Sequence, residues 1–186
     1  MERVFRGQFS VFSFQFSVFS FQGRGGVRVE LTAYHEAGHA FMAILLGAKV
    51  RSVTIDPDQD DGPQRFGDTQ ILWKRSRFSD QEFCVRAIQV SLAGPVAEML
   101  YSGDPYHPGL VAEWANDWNT AWELTETMFS SPRKRIEYLE AVTLQLYRRL
   151  DAEPNWSALA SLADHLLAHE TLEHDEVKDI VNDWIH

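Results

Sequence analysis

Residues 31–46 read Leu-Thr-Ala-Tyr-His-Glu-Ala-Gly-His-Ala-Phe-Met-Ala-Ile-Leu-Leu and are followed by Gly47. A stretch this apolar, with Thr32 placed as an N-cap and a glycine to stop it, reads as a helix buried on nearly every face. Such a helix constrains its polar residues, because ionisable side chains inside a core must be paired, hydrogen-bonded or bound to a metal to offset their desolvation. The three it carries are His35, Glu36 and His39, an H-E-x-x-H pattern. Residues four apart lie one above the other on a helix, so the two imidazoles are aimed at one ion, and Glu36 is placed to reach a water beside it. Zn2+ suits such a donor set.

A hydrolytic zinc site takes a third protein ligand and leaves a fourth position open. Asp117, in the helix-compatible stretch 113–121, is one candidate, and Glu98, His107 and Glu113 are the others. Spacing does not choose among them. His165 and His169 form a second i, i+4 pair, but Leu166 stands where the first pair has a carboxylate, so a solvated helix face is the expectation there. His107 reads as an ordinary loop histidine. Trp114, Trp118 and Trp122 recur every four residues and read as core or subunit contact rather than a substrate cage.

The chain has 186 residues, 45% hydrophobic and 12% aromatic, enough for one globular domain with a sizeable core. Its formal charge of −10 argues against a nucleic-acid ligand, since neutralising phosphates needs a basic surface. The single cysteine, Cys84, excludes an intrachain disulfide and reads as a small buried side chain; a reducing, cytoplasmic setting is compatible.

Residues 9–22 are an exact tandem repeat, Phe-Ser-Val-Phe-Ser-Phe-Gln twice over. Aromatic alternation within each copy suits a β-strand, but a period of seven puts the second copy's phenylalanines on the opposite face. Fourteen residues with regular serine and glutamine fall short of the roughly twenty apolar residues of a membrane span, and the run lacks the apolar core of a secretory signal. The readings are an edge strand docking on the fold, self-association or membrane-surface contact through Phe9–Phe21, or a repeat without function, with docking or association ahead. Residues 23–26 read as a glycine hinge, so the domain boundary is expected after residue 26, with residues 1–26 an extension and 27–186 the domain.

Downstream, Val50–Ile55 and Thr69–Trp73 read as strands, joined by an acidic, turn-rich loop whose spacing does not match a calcium-binding loop. Ser79 and Glu82 form a capping box for a helix running toward Leu100. Helices are expected over Leu110–Phe129, Pro132–Leu150, Trp156–His169 and Glu173–Ile185. The sum is an α+β fold, predominantly helical, with a small sheet and a helical C-terminal part.

The segment Thr32–Ala40 resembles the catalytic helix of the FtsH-type zinc peptidases. The likeness continues through Val53-Thr54-Ile55-Asp56-Pro57, Gly67–Leu72, Leu92–Glu98, Asn116-Asp117 with Ala121, and Leu162–Leu172, in the family's order across roughly residues 28–183. The resemblance implies a zinc metalloendopeptidase domain in which His35, His39 and Asp117 hold Zn2+. Glu36 would deprotonate the attacking water and later protonate the leaving amine. The segment Gly67, Asp68, Thr69, Gln70 and Ile71 resembles the edge strand bordering the family's active site, implying extended substrate paired along it. Pro95 stands where the family has arginine, and the helix is expected to start or kink there. No G-x-x-x-x-G-K-[ST] loop occurs and there is no room for an ATPase ahead of residue 30, so hydrolysis of unfolded or flexible polypeptides without its own ATPase is expected, a separate ATPase or adaptor serving as partner. A homo-oligomer is a further expectation from the likeness. The alternative is a non-catalytic zinc-binding regulatory or adaptor module of the same fold.

Overall fold

Four strands and six α-helices carry the fold in the computed structural model, which describes residues 9–15, 25–56 and 67–185. In chain order these are β1 (Phe9–Gln15), α1 (Gly25–Leu45), β2 (Lys49–Thr54), β3 (Asp68–Lys74), α2 (Asp80–Ser102), α3 (Ala115–Leu124), α4 (Pro132–Asp151), α5 (Asn155–His169), β4 (Thr171–Glu173) and α6 (His174–Asn182). The expected class, a predominantly helical α+β fold with a small antiparallel sheet, is the one observed.

Helix α1 is the central element. Ala33, Ala37, Ala40, Phe41, Met42 and Ala43 are all fully buried on it. Its small residues let α2 come close: a Cβ on Gly38 would lie 2.5 Å from the Ala93 carbonyl oxygen and 2.7 Å from Ala97 Cβ. Only glycine permits that approach without moving one helix. The helix closes as expected at Gly47, whose φ of +79° suits a residue without Cβ, with Ala48 N–H donating to Ala43 O at 2.9 Å. Its start differs from the sequence reading. The helix begins at Gly25, so Thr32 lies inside it rather than capping it, and Gly25 and Gly26 belong to helix rather than hinge. Val27 to Leu31 continue the helical pattern without a breaker, which leaves Thr32 nothing to cap.

Helix α2 opens on the expected capping box: Glu82 N–H donates to Ser79 Oγ at 3.2 Å and Ser79 N–H to Glu82 Oε2 at 2.8 Å. It then runs unbroken through Pro95 to Gly103, so the expected start at Pro95 is not observed. By length and composition α2 could cross a membrane, yet 72% of its most apolar window is buried, which is the signature of a core helix. Cys84 is buried on it, as expected, with the Thr127 hydroxyl 3.7 Å from its sulfur.

The sheet order is β1-β3-β2-β4, all neighbours antiparallel. β2 and β3 fall where the sequence placed them, with a register shift between Val50 and Ser52. Two features were not anticipated. β3 is internal, flanked by β2 and by β1, rather than an edge strand. The residues after α5 also form a short strand, β4, pairing Ser52 with Glu173 and Thr54 with Thr171. Glu170, with φ of +62°, turns the chain into β4, and its carbonyl accepts from Ile55 N–H at 2.9 Å.

The helix expected over Leu110–Phe129 is four pieces: 3-10 turns at Pro108–Leu110 and Ala112–Trp114, α3, and another turn at Thr125–Thr127. Pro108 opens the first of these turns, after His107 as its cap. The later helices match closely. The second copy of the repeat, Gly23-Arg24 of the hinge, and the acidic loop at 57–63 lie outside the described residues.

Candidate metal centre

Consecutive turns of α1 bring His35 and His39 together, their ring centroids 4.9 Å apart. Asp117, from the first turn of α3, completes a group whose ligand atoms all lie within 4.8 Å of one another. All three are buried, Asp117 and His39 completely. Asp117 reaches both histidines, Oδ2 lying 3.1 Å from His35 Nε2 and Oδ1 3.5 Å from His39 Nε2. Donors about 2.0–2.1 Å from one tetrahedral zinc stand about 3.3 Å apart, and these two separations bracket that value.

The surroundings fix which nitrogen of each ring faces the group. His39 Nδ1 lies 2.8 Å from the Val90 carbonyl, which can only accept, so Nδ1 carries a proton and Nε2 is the nitrogen that faces inward. His35 Nδ1 lies 2.9 Å from Glu98 Oε2, which also accepts from Trp114 Nε1 at 2.7 Å. Imidazoles with one nitrogen held by a carboxylate or carbonyl and the other directed at a common point are arranged as metal ligands are. Two further observations fit a cation. Asp117 Oδ1 is buried and accepts no hydrogen bond. Gly94, on α2, leaves space at the histidines: a Cβ there would stand 2.3 Å from His39 Nε2 and 2.7 Å from His35 Nε2. The donor set, one carboxylate and two imidazoles, suits zinc.

The same geometry perturbs the ionisation of the metal-free protein. Burial pulls the His35 pKa down, but hydrogen bonds to Asp117 and Glu98 outweigh it and hold it at about 10. Burial would raise the Asp117 pKa, yet the adjacent His39 and His35 keep it below the usual carboxylate range. Glu36, on the same turn, is 1% exposed. Its Oε2 accepts from the Thr69 hydroxyl at 2.5 Å, and a Cβ on Gly67 would meet Oε1 at 2.4 Å, so the carboxylate is wedged against the start of β3. Desolvation lifts its pKa to about 8 against the opposing pull of His35 and Thr69.

Of the residues named from sequence, His35, Glu36, His39 and Asp117 converge, and Gly67 and Thr69 touch Glu36. Asp68, Gln70 and Ile71 continue along β3, with Ile71 buried and Asp68 holding Gln70 Nε2 at 3.1 Å. The alternative third ligands stand elsewhere. Glu98 orients His35 instead, His107 lies 3.4 Å from Glu140 and against Trp118, and Glu113 is outside the group. His165 and His169 sit 6.2 Å apart on an exposed face, with His165 Nδ1 donating to Ser161 O. Trp114 reads from sequence as core or subunit contact; its bond to Glu98 makes it part of the support, and no local pattern signals that. Trp122 packs under Arg135, 4.0 Å from its ring centroid. The hydroxyl of Thr69, the Val90 carbonyl and Gly94 were equally invisible as partners, since each acts across 33, 51 or 55 positions of chain.

Fold and site together define a helical α+β domain with a buried His-His-Asp group that could bind a metal, beside a carboxylate of raised pKa. No family model matches the sequence. The chain is similar to a protein of Oryza sativa subsp. japonica named ATP-dependent zinc metalloprotease FTSH 9, chloroplastic/mitochondrial, 28% identical over 178 residues. That likeness takes in 83% of this chain but 22% of the rice protein, so the chain spans about a fifth of the length of the relative it matches.

Proposed function

We propose that this chain is a zinc-dependent endopeptidase acting on unfolded or flexible polypeptides. The observation that carries the reading is the buried convergence of His35, His39 and Asp117, with both Nδ1 atoms engaged by outer partners, one residue from the buried Glu36. In the reaction, His35, His39 and Asp117 would hold the metal, with Glu98 and Val90 O fixing the imidazole orientations. Zinc, when bound, supplies Lewis acidity that polarises a carbonyl and eases ionisation of a water. Glu36 would act as general base: its carboxylate would accept the attacking water's proton and, once protonated, would deliver that proton to the departing amine. Thr69 donates to Oε2 of that carboxyl and holds it in place, and the buried setting keeps bulk water away from it.

The similarity to a zinc metalloprotease supports the same class. The name of that relative includes ATP dependence. A separate ATPase or adaptor is accordingly a proposed partner, and a homo-oligomer a proposed state. A compartment that keeps Cys84 reduced, the cytosol among them, fits the reading.

The test is elemental analysis of the purified chain, run beside cleavage of unfolded casein with and without a chelator. About one zinc per chain and chelator-sensitive cleavage are expected. Glu36→Gln should keep the zinc and lower turnover by about 10²- to 10⁴-fold, the usual contribution of a positioned general base. Undiminished cleavage by that variant would falsify the assignment, and zinc without any cleavage would favour the non-catalytic module.

A further inference from the structure

The carboxylate of Glu36 is pressed against one end of β3, through the Thr69 hydroxyl and the Gly67 backbone. One side of β3 is taken by β2. The other is the side along which an extended polypeptide would add by main-chain pairing, because a strand edge offers a row of N–H and C=O groups with little demand on sequence. That side is already filled. β1 pairs with β3 over its whole length, Phe9 opposite Lys74 through Gln15 opposite Asp68, so Phe14 lies opposite Thr69 itself. β1 also approaches α3, the helix that carries Asp117. β1 thus touches both β3, whose start confines the base, and α3, whose first turn carries the third candidate ligand.

We propose that β1 is a built-in occupant of the peptide groove: the first Phe-Ser repeat holds the β3 edge and must leave before a polypeptide substrate can pair there. This rests on the peptidase reading for its purpose, though the occupancy itself does not. Nine residues separate β1 from α1, so the strand is tethered and competes as a ligand at an effective concentration of about millimolar. The groove's apparent affinity for an outside peptide is reduced by the fraction of time β1 is docked. The tandem repeat follows from the same logic, since Phe16–Gln22 duplicates the sequence of β1 and is equipped to pair with the same edge. A test must therefore disable both copies.

The experiment uses the full zinc-loaded chain with Glu36→Gln, which cannot consume its ligand, and a fluorescein-labelled Phe-Ser-Val-Phe-Ser-Phe-Gln peptide as probe. Neighbouring residues of a strand point their N–H groups to opposite sides, so Val11→Pro with Phe12→Pro removes a ladder donor whichever way β1 faces. Val18→Pro with Phe19→Pro does the same for the second copy. The fourfold proline chain should bind the probe at least 10-fold more tightly than its parent, with faster hydrogen exchange at alternate amides of 68–74 and unchanged protection in α1 and α2. Equal probe affinity, or unchanged protection of β3, overturns the proposal. Should the prolines disturb α1 or α2, the unmutated chain decides: titrating probe into it should raise exchange in residues 9–15, and constant exchange there at saturating probe refutes the occupancy. With Glu36 restored, casein cleavage should rise in the proline chain. Failure of both chains to cleave, alongside the expected binding and exchange, would sink the peptidase reading and leave the occupied groove standing.

Discussion

Replacing Gly94 by alanine tests the metal centre without touching a ligand. The new Cβ would stand 2.3 Å from His39 Nε2 and 2.7 Å from His35 Nε2, against an ordinary contact of 3.4 Å or more. One or both rings must retreat by about 0.7–1.1 Å, whereas metal–ligand distances tolerate about 0.2 Å. Neither ring can do so freely: both are buried, and their Nδ1 atoms are tied to Glu98 and Val90. Zinc affinity should fall at least 100-fold, about 2.8 kcal/mol. Metal-free stability should move far less, because overpacking at about 1–3 kcal/mol is partly offset by about 1 kcal/mol of helix preference of alanine over glycine. Gly103→Ala is the control. Its φ of +76° strains an alanine by about 1–2 kcal/mol, but nothing lies within 4 Å of its Cβ, so it should lose stability and keep zinc affinity. The assay is chelator competition beside thermal melting. A Gly94→Ala chain that binds zinc within threefold of the parent would show that the space at the histidines is not where the ion sits.

Glu98→Gln should weaken zinc binding by about 10- to 100-fold, as loss of an outer-shell carboxylate does, while the chain stays folded; unchanged affinity in the competition assay would remove Glu98 from the site. The metal-free protein should lose thermal stability as pH rises from about 6.5 to 9. His35 and Glu36 both hold protons more tightly folded than unfolded, at about 10 and about 8, so the native state binds the extra protons across that window. Saturating zinc replaces those protons and should flatten the dependence; a melting point that climbs with pH without metal would contradict the ionisation scheme.

The candidate centre is built from two kinds of constraint with different tolerances. The two histidines and Glu36 sit on consecutive turns of one helix, so their mutual placement is local and stiff. Asp117, Glu98, Trp114 and Gly94 arrive from α2, α3 and the turn before α3, and their placement depends on how closely α1 and α2 pack, which Gly38 sets. A side chain at Gly38 would separate the helices and detune the centre from a position that touches no ligand.

The helical class, the limits of α4 and α5, the capping box at Ser79 and the convergence of His35, Glu36 and His39 were legible in the chain, because each follows from helical period or from a neighbour within four residues. The start of α1 was misplaced because Thr32 looks like a cap and the glycines at 25 and 26 look like a hinge, although Val27 to Leu31 carry no breaker. The segment Leu110–Phe129 was overextended because only Ala115–Leu124 of it is α-helix, and the period of the sequence does not tell the tighter 3-10 turns on either side from α-helix. Only the folded chain could show that Glu98 orients His35, that Thr69 and Gly67 confine Glu36, and that Gly94 makes room beside the histidines. Those contacts join residues 31 to 63 positions apart, and no periodicity encodes them. The same holds for β3. Its sequence fixes a strand, but whether that strand is an edge depends on which other segment lies beside it, and that was decided by β1 folding back from the other end of α1.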